Sequence, residues 1–347
     1  MPSSEPGAAA RSAPTIGSVA QVAGVSRATV SRAFTRPQML RPETVEKVLE
    51  VARQLGYVPN AAAKALSTGR FGNLAMVVPD IANPYIPPMI SAVEEQAAGA
   101  GFAVFLGNSA EDPTREDLLV RRLTPQVDGF VLAASRMGEE LIRQHARARP
   151  LVLVNRDIEG IPRVLIDTAG GVAQTVEHLA GLGHRRLAYL SGPSHSWANT
   201  QRRRAVRRAG DRLGIEVVTL PARLSSYEAG RQAAGALLDS GVTAVIAFDD
   251  LLAQGVLTGL AERGVRVPDE FSVAGCDDVL AAQTFPPLTT VSARAREAGA
   301  TAVELLTSRL GGGSAMSDAR VMLDTELVAR ATTGPLPRRR PGGHSRP

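Results

Sequence analysis

Four residues that could contact DNA bases recur at the spacing of one helix face. They are Arg27, Ala28, Ser31 and Arg32. Intervals of three or four residues place side chains on the same side of an α-helix. Arginine donates paired hydrogen bonds to guanine, and hydroxyl groups bind phosphates or base edges. This set therefore predicts a helix that enters the major groove of DNA, although a three-helix bundle with a solvated basic face is an alternative explanation.

A second group of polar residues follows apolar runs that predict β-strands. Its members are Asp80, Asn83, Asn108, Asp249 and Asp277. Open α/β sheets bind ligands at the carboxyl ends of their parallel strands. The sequence therefore predicts that these five side chains line a ligand cleft.

Three short helices are predicted to position the first group. Residues 15–59 contain signals for helices and none for a strand. Thr15 and Ser26 can cap the first two helices, and Pro42 suits the first position of the third. Because Gly24 permits a tight turn between the first two, the pattern is typical of a helix-turn-helix.

From residue 73 onward, strand-like apolar runs alternate with segments long enough to form helices. The runs are 74–78, 102–106, 128–133, 151–154, 187–191, 243–247 and 271–275. This alternation predicts parallel sheets covered by helices on both faces. Since the region is too long for one small sheet, we expect two α/β lobes.

The formal net charge of +5 is unevenly distributed. Residues 1–70 contain 9 Lys and Arg against 4 Asp and Glu, so a basic N-terminal segment precedes a mildly acidic body. This asymmetry predicts a polyanion-binding module. The single cysteine excludes an intramolecular disulfide and fits a reducing cytoplasm. The first 14 residues lack the pattern of a secretory signal, and no apolar run reaches the ~18 residues of a membrane span.

Two N-terminal stretches resemble the headpiece of the lactose/galactose-repressor family. They are TIGSVAQVAGVSRATVSRAFTRP and ETVEKVLEVARQLGYVPNAAAKAL. The resemblance assigns base contacts to Arg27, Ala28 and Arg32. It assigns phosphate contacts to Ser26, Thr29 and Ser31. Ser18 stands where the family usually has an acidic residue, and Arg41 replaces the usual cap before Pro42, so we expect weaker capping of both helices.

Residues 60–66, NAAAKAL, resemble the hinge helix of the same family. Because so short a helix is unstable alone, the resemblance implies that it folds on operator DNA beside its twin in a dimer. The resemblance further implies DNA contacts for Asn60 and Lys64, and a role for Leu66 as a wedge in the minor groove. An ordinary core leucine is the alternative explanation for Leu66.

The body resembles the family in further segments, including PDIANPYIPPMI, HLAGLGHRRLAYLSGP, AFDDLLAQG and RVPDEFSVAGCDD. The implied fold is that of periplasmic sugar-binding proteins, with a ligand between two α/β lobes. The resemblance assigns effector binding to Arg202 and Asp277, a donor and an acceptor suited to hydroxyl groups. A structural ion pair that bridges the lobes is the alternative. Tyr85 and Trp197 could offer flat apolar faces to a sugar ring or a base.

No catalytic motif stands in the context that it requires. Residues 24–28, GVSRA, approach a nucleophile elbow, but no strand precedes them. The chain lacks a Walker glycine–lysine loop, and its five histidines lack metal-ligand spacing. We therefore expect neither an enzyme nor a cofactor. A solute-binding protein would instead require a secretion signal and no headpiece, and an activator of the same family is a second alternative.

The predicted fold is an N-terminal all-α helix-turn-helix headpiece with a hinge helix, followed by a C-terminal two-lobed α/β domain with parallel sheets. The segments are a disordered extension (1–14), the headpiece (15–59), the hinge helix and linker (60–70), the effector-binding and dimerisation domain (71–334) and a disordered basic tail (335–347). We expect a cytoplasmic, nucleoid-associated homodimer without membrane contact. Its predicted partners are a near-palindromic double-stranded operator DNA and a small, sugar-like effector.

Overall fold

The computed structural model describes residues 13–58, 69–222, 224–312 and 318–336. The chain divides into two compact units, Met1–Gly72 and Asn73–Pro347. Three predicted DNA contacts, Asn60, Lys64 and Leu66, lie outside the described residues, as does the hinge helix to which they were assigned.

The first unit is built from three helices. They are α1 (Ile16–Ala23), α2 (Arg27–Thr35) and α3 (Pro42–Leu55), with a short 3-10 helix at Pro37–Met39. One apolar cluster joins all three, formed by Val19, Ala20, Ala23, Val30, Ala33, Val48, Val51 and Ala52. The apolar spacing that predicted these helices therefore also supplies their shared core.

The caps of these helices correct one expectation. Thr15 accepts a hydrogen bond from the Ser18 backbone at 3.3 Å, and the Ser18 hydroxyl accepts one from the Thr15 backbone at 2.9 Å. Weaker capping at Ser18 was therefore a wrong prediction, because its hydroxyl completes the reciprocal capping box that an acidic residue usually provides. Arg41 makes no side-chain cap to α3, as expected.

A six-stranded parallel sheet forms the first lobe of the second unit. Its strands are β1 (Asn73–Val78), β2 (Ala103–Asn108), β3 (Gly129–Ala133), β4 (Leu151–Val154), β5 (Arg163–Ile166) and β11 (Arg320–Leu323), in the order β11-β5-β4-β3-β1-β2. Its helices are α4 (Ile86–Gly99), α5 (Pro113–Leu123), α6 (Glu139–Ala148) and α11 (Ala295–Leu310). Apolar clusters cover both faces of this sheet, which explains why β3 and β4 contain no polar side chain and β1 contains only Asn73, at its start.

A four-stranded parallel sheet forms the second lobe. Its strands are β6 (Arg186–Ser191), β7 (Glu216–Pro221), β8 (Ala244–Ala247) and β9 (Ser272–Ala274), in the order β7-β6-β8-β9. Its helices are α7 (Thr168–Gly181), α8 (Trp197–Leu213), α9 (Tyr227–Asp239) and α10 (Asp250–Ala261). The short strands β10 (Thr290–Val291) and β12 (Leu327–Val328) form an antiparallel pair beside it.

The chain crosses between the lobes at three places. It passes from β5 into α7, from β10 into α11 and from β11 into β12. Each lobe is therefore assembled from segments distant in the sequence.

The predicted fold class is confirmed. All seven predicted strands form, and their ends differ from the prediction by at most two residues. The apolar pattern missed β5 and β7, as well as the three short strands β10, β11 and β12. Strand β7 lies at the edge of its sheet and is only half-buried, so its sequence EVVTLP lacks the continuous apolar run of a central strand.

Candidate functional site

Helix α2 has one outward face and one buried face. Arg27, Ala28 and Arg32 are exposed, whereas Val30 and Ala33 are buried against the other two helices. Within the described part of the first unit, neither arginine pairs with an acidic side chain. The outward face can therefore donate hydrogen bonds from both guanidinium groups to a polyanion.

Three hydroxyl residues, Ser26, Thr29 and Ser31, lie between the N-cap and the middle of α2. Ser26 caps the helix by accepting a hydrogen bond from the Thr29 backbone at 3.1 Å, and the two hydroxyl oxygens lie 2.9 Å apart. Ser31 is half-buried one turn further along. A helix N-terminus with hydroxyl groups beside it is a favourable position for a phosphate. The structure thus groups Ser26, Thr29 and Ser31 with the two exposed arginines.

In the second unit, a cavity of about 60 Å³ lies where the carboxyl ends of strands from both sheets meet. Six of the eight predicted effector residues line this inter-lobe cavity: Asp80, Asn83, Tyr85, Arg202, Asp249 and Asp277. The topology of parallel strands accounts for this convergence, since residues that follow their carboxyl ends share one edge of the sheet.

Asn108 and Trp197 do not line the cavity. Asn108 ends β2, and its side chain accepts a hydrogen bond from the Ala110 backbone at 3.2 Å, which shapes the following turn. Trp197 is the first residue of α8, whereas its neighbours Ser196 and Ala198 both reach the cavity. The segments that contain Asn108 and Trp197 thus reach the cavity through neighbouring residues, and an effector contact by either residue stays a prediction from the sequence.

The more enclosed of the two described arginines in the cavity wall is Arg202, on α8. The residue is 4% exposed, and its Nε donates to the Thr168 hydroxyl at 3.0 Å. One Nη donates to the Phe248 carbonyl, and the guanidinium carbon lies 4.7 Å from the centre of the Phe248 ring. Burial lowers the pKa of Arg202, but Cys276 and Asp277 outweigh it, so the net pKa is above the ordinary value. Arg202 is therefore a fixed cation that still faces the cavity.

Asp277 lies after β9, with a carboxylate oxygen 3.6 Å from Nη2 of Arg202. Burial raises the pKa of Asp277 well above its ordinary value, although Arg202 opposes that shift. Both residues belong to the second lobe, because α8 packs on the four-stranded sheet that contains β9. The pair therefore does not bridge the lobes. The alternative explanation of Arg202 and Asp277 as a lobe-bridging ion pair is wrong.

The contact that does bridge the lobes joins Asn83 to Asp249. The Asn83 amide, after β1 in the first lobe, donates to Asp249 Oδ2 at 3.1 Å. Asp249 also caps α10 by accepting from the Leu252 backbone at 2.9 Å, and it accepts from the Ser225 hydroxyl. Burial raises the pKa of Asp249, against these hydrogen bonds. Asp249 thus both caps α10 and links the two lobes at the cavity.

On the first-lobe side, the cavity is lined by residues that the sequence analysis did not select. They include Glu111, Arg136 and Asn155, which follow β2, β3 and β4. The Asn155 amide donates to the Tyr85 hydroxyl at 3.4 Å, and burial raises the pKa of that tyrosine above its ordinary value. The rule that selected Asp80 would have found Arg136 and Asn155, which lie within three positions of the predicted strands, but Glu111 lies five positions beyond the predicted run 102–106.

The described ranges contain neither a membrane-spanning helix nor a cluster of metal-ligating side chains. No helix there is long and apolar enough to cross a membrane. No group of three His, Cys, Asp or Glu in that part of the chain is arranged to hold a metal ion.

Known proteins match both units of the chain. Residues 15–60 match the family model of bacterial regulatory proteins, lacI family, and residues 176–333 match that of a periplasmic binding protein-like domain. The HTH-type transcriptional regulator DegA of Bacillus subtilis is 33% identical over 334 residues, which cover 93% of this chain and 98% of DegA.

Two solved structures are similar over 92% of this chain and 99% of their own. The lac repressor dimer bound to operator and the anti-inducer ONPF is 26% identical, with a TM-score of 0.83. The complex of the transcriptional regulator CelR with cellobiose is 30% identical, with a TM-score of 0.69.

Proposed function

Because the chain belongs to the lacI family of DNA-binding transcriptional regulators, we propose that it is a cytoplasmic homodimeric repressor controlled by a sugar-like effector in the inter-lobe cavity. The observation that carries this proposal is the buried polar cluster around Arg202 and Asp277 at the carboxyl ends of the strands. A carboxylate and a guanidinium side by side accept from and donate to neighbouring hydroxyl groups. The cellobiose complex of a similar regulator supports a sugar as the ligand class.

Effector binding is proposed to act through the distance between the lobes. A cavity of about 60 Å³ is far smaller than the roughly 300–1,000 Å³ of typical ligand sites. The lobes must therefore separate to admit an effector, and the hydrogen bond between Asn83 and Asp249 must break or lengthen. An effector that replaces this hydrogen bond would then set the angle between the lobes.

DNA recognition is assigned to the outward face of α2. We propose that Arg27 and Arg32 contact base edges, with Ala28 close to them, while Ser26, Thr29 and Ser31 fix the helix on the phosphates. A homodimer presents two such helices to the half-sites of a near-palindromic operator. The assignments of Asn60, Lys64 and Leu66 in the hinge segment stay predictions from the sequence.

The test begins with selection of an operator from random double-stranded DNA by the full-length protein. Fluorescence anisotropy then measures its affinity in the presence of D-ribose, D-glucose, cellobiose and common nucleosides. We expect a near-palindromic site and a change in its affinity with at least one of these molecules. Failure to select any sequence would overturn DNA-specific regulation.

The matched variant for the effector site is Asp277→Ala. It should lose the response to the active molecule while it keeps the affinity for operator without effector, because Asp277 lies in the second unit. A variant that still responds fully would refute the role of Asp277. Glu177→Ala, in an exposed ion pair on the same lobe, is the control.

A further inference from the structure

A second guanidinium lines the cavity, from the lobe opposite Arg202. Arg136 follows β3, is 8% exposed and forms a two-pronged ion pair with Glu111. Its Nε donates to Glu111 Oε2 at 2.5 Å and its Nη2 to Oε1 at 3.0 Å, while Nη1 donates to the Ala134 carbonyl at 2.7 Å. Among the described residues, three of its five N–H groups thus have partners, and the other two are open to a ligand.

The surrounding backbone fixes this arginine in place. The backbone N–H of Arg136 donates to the buried Glu116 carboxyl at 2.8 Å. Glu111 and Ala134 adopt positive φ angles of 63° and 47°, which non-glycine residues hold only where neighbouring contacts impose them. Arg136 is therefore preorganised for ligand binding by its neighbours.

Among the described residues that line it, the cavity carries no surplus of positive charge. Its two arginines face four carboxyl groups, those of Asp80, Glu111, Asp249 and Asp277. Burial raises the pKa of both Asp249 and Asp277. Even with those two protonated, the other two carboxylates still balance the arginines. An anionic ligand would therefore have to displace a carboxylate from its guanidinium.

We infer that Arg136 is the effector contact of the first lobe and that Glu111 restricts the site to neutral, hydroxyl-rich molecules. The inference rests on the proposed function of the cavity. Arg136 offers its two remaining N–H groups to ligand hydroxyls, while Glu111 neutralises the charge that would otherwise attract phosphate or carboxylate. Phosphorylated or acidic forms of the same sugar are rejected.

The test uses inorganic phosphate as the probe, so that it does not depend on the identity of the effector. Thermal midpoints of the full chain are measured against phosphate concentration at constant ionic strength. Glu111→Gln keeps the shape of the side chain and removes its charge, so its apparent Kd for phosphate should fall about tenfold or more below that of the wild type. The double variant Glu111→Gln, Arg136→Ala should lose this tighter phosphate binding.

Glu177→Gln is the matched control, because Glu177 forms an ion pair with Arg212 on an exposed helix face outside the cavity. It should behave as the wild type does. A wild type that binds phosphate as tightly as Glu111→Gln would overturn the inference, as would a double variant that keeps the gain.

A matched pair of sugars, D-ribose and D-ribose 5-phosphate, extends the measurement. Relative to the wild type, Glu111→Gln should shift its preference towards the phosphorylated member, and an unchanged preference would count against the inference. Operator affinity is measured on the same samples. Loss of sequence-specific DNA binding in the wild type would refute the proposed function but leave the charge-selectivity result standing.

Discussion

At the scale of single residues, Asp250 adjoins the cavity residue Asp249 but does not line the cavity. It is 4% exposed, and its Oδ1 accepts from the Thr290 hydroxyl at 2.5 Å. Its Oδ2 has no hydrogen-bond partner among the described residues. Burial raises the pKa of Asp250 to about 6. The folded protein therefore holds an incompletely solvated charge at neutral pH.

The sign of the resulting pH dependence follows from the direction of this shift. Above pH 6 the folded state carries the ionised carboxylate, which the unfolded chain solvates better, so Asp250 destabilises the fold. As the pH falls through 6 towards the ordinary value near 4, the folded state takes up a proton and the penalty disappears. Asp250→Asn should thus raise the free energy of unfolding at pH 8 by about 2–3 kcal/mol.

Urea unfolding at pH 8 and pH 5 measures this effect. The advantage of Asp250→Asn over the wild type should shrink as the pH falls, whereas the exposed control Asp239→Asn should show no such trend. An advantage that does not depend on pH would show that the charge of Asp250 is not its cause.

Arg27 gives the second prediction at this scale. Its guanidinium is exposed on α2 and rests against α1, where a Cβ built on Gly17 would lie 3.1 Å from Nη2. Arg27→Ala should weaken operator binding by about 1–3 kcal/mol and relax the preference at one base position. Anisotropy with operators mutated at single positions tests this, with the exposed Arg53→Ala on α3 as control. Equal loss on every sequence would show that Arg27 contacts only phosphates.

At the scale of elements, the N-terminus of α1 depends on the reciprocal bonds between Thr15 and Ser18. Ser18→Ala removes one of them and should destabilise the headpiece by about 0.5–1 kcal/mol. Hydrogen exchange of the amides in α1 measures the change locally. Ser18→Glu should restore protection, because a carboxylate at this position accepts the same backbone hydrogen bond. Equal exchange in all three proteins would contradict the role of the capping box.

Elements also show how far the sequence could predict this site. Asp80 and Asp249 were found because each follows a central strand with a clear apolar run, and Asp277 because it follows the short, buried edge strand β9. Arg136 and Asn155 follow equally apolar strands, so their omission was not forced by the sequence. In contrast, no local pattern indicates that Asn83 meets Asp249, since the two residues are 166 positions apart in the sequence and their contact depends on how the two lobes pack against each other.

At the scale of the whole molecule, ligand binding in the two units must be energetically coupled if the effector controls DNA binding. Thermodynamic linkage requires that operator DNA change the effector affinity by the same factor by which the effector changes the operator affinity. No contact between the units is needed to state this equality. It holds for any coupled pair of sites in one molecule.

The hinge segment predicted at 60–66 offers a way to break this coupling. Leu66→Ala should weaken specific operator binding, spare non-specific DNA binding and reduce both coupling factors together, because the wedge that it removes is proposed to form only on the operator. Effector affinity is measured by calorimetry with and without saturating operator, and operator affinity by anisotropy with and without effector. Asp277→Ala is the reference variant, since it should abolish effector binding while operator affinity stays intact. Operator affinity and coupling factors that Leu66→Ala leaves unchanged would contradict the role of the wedge.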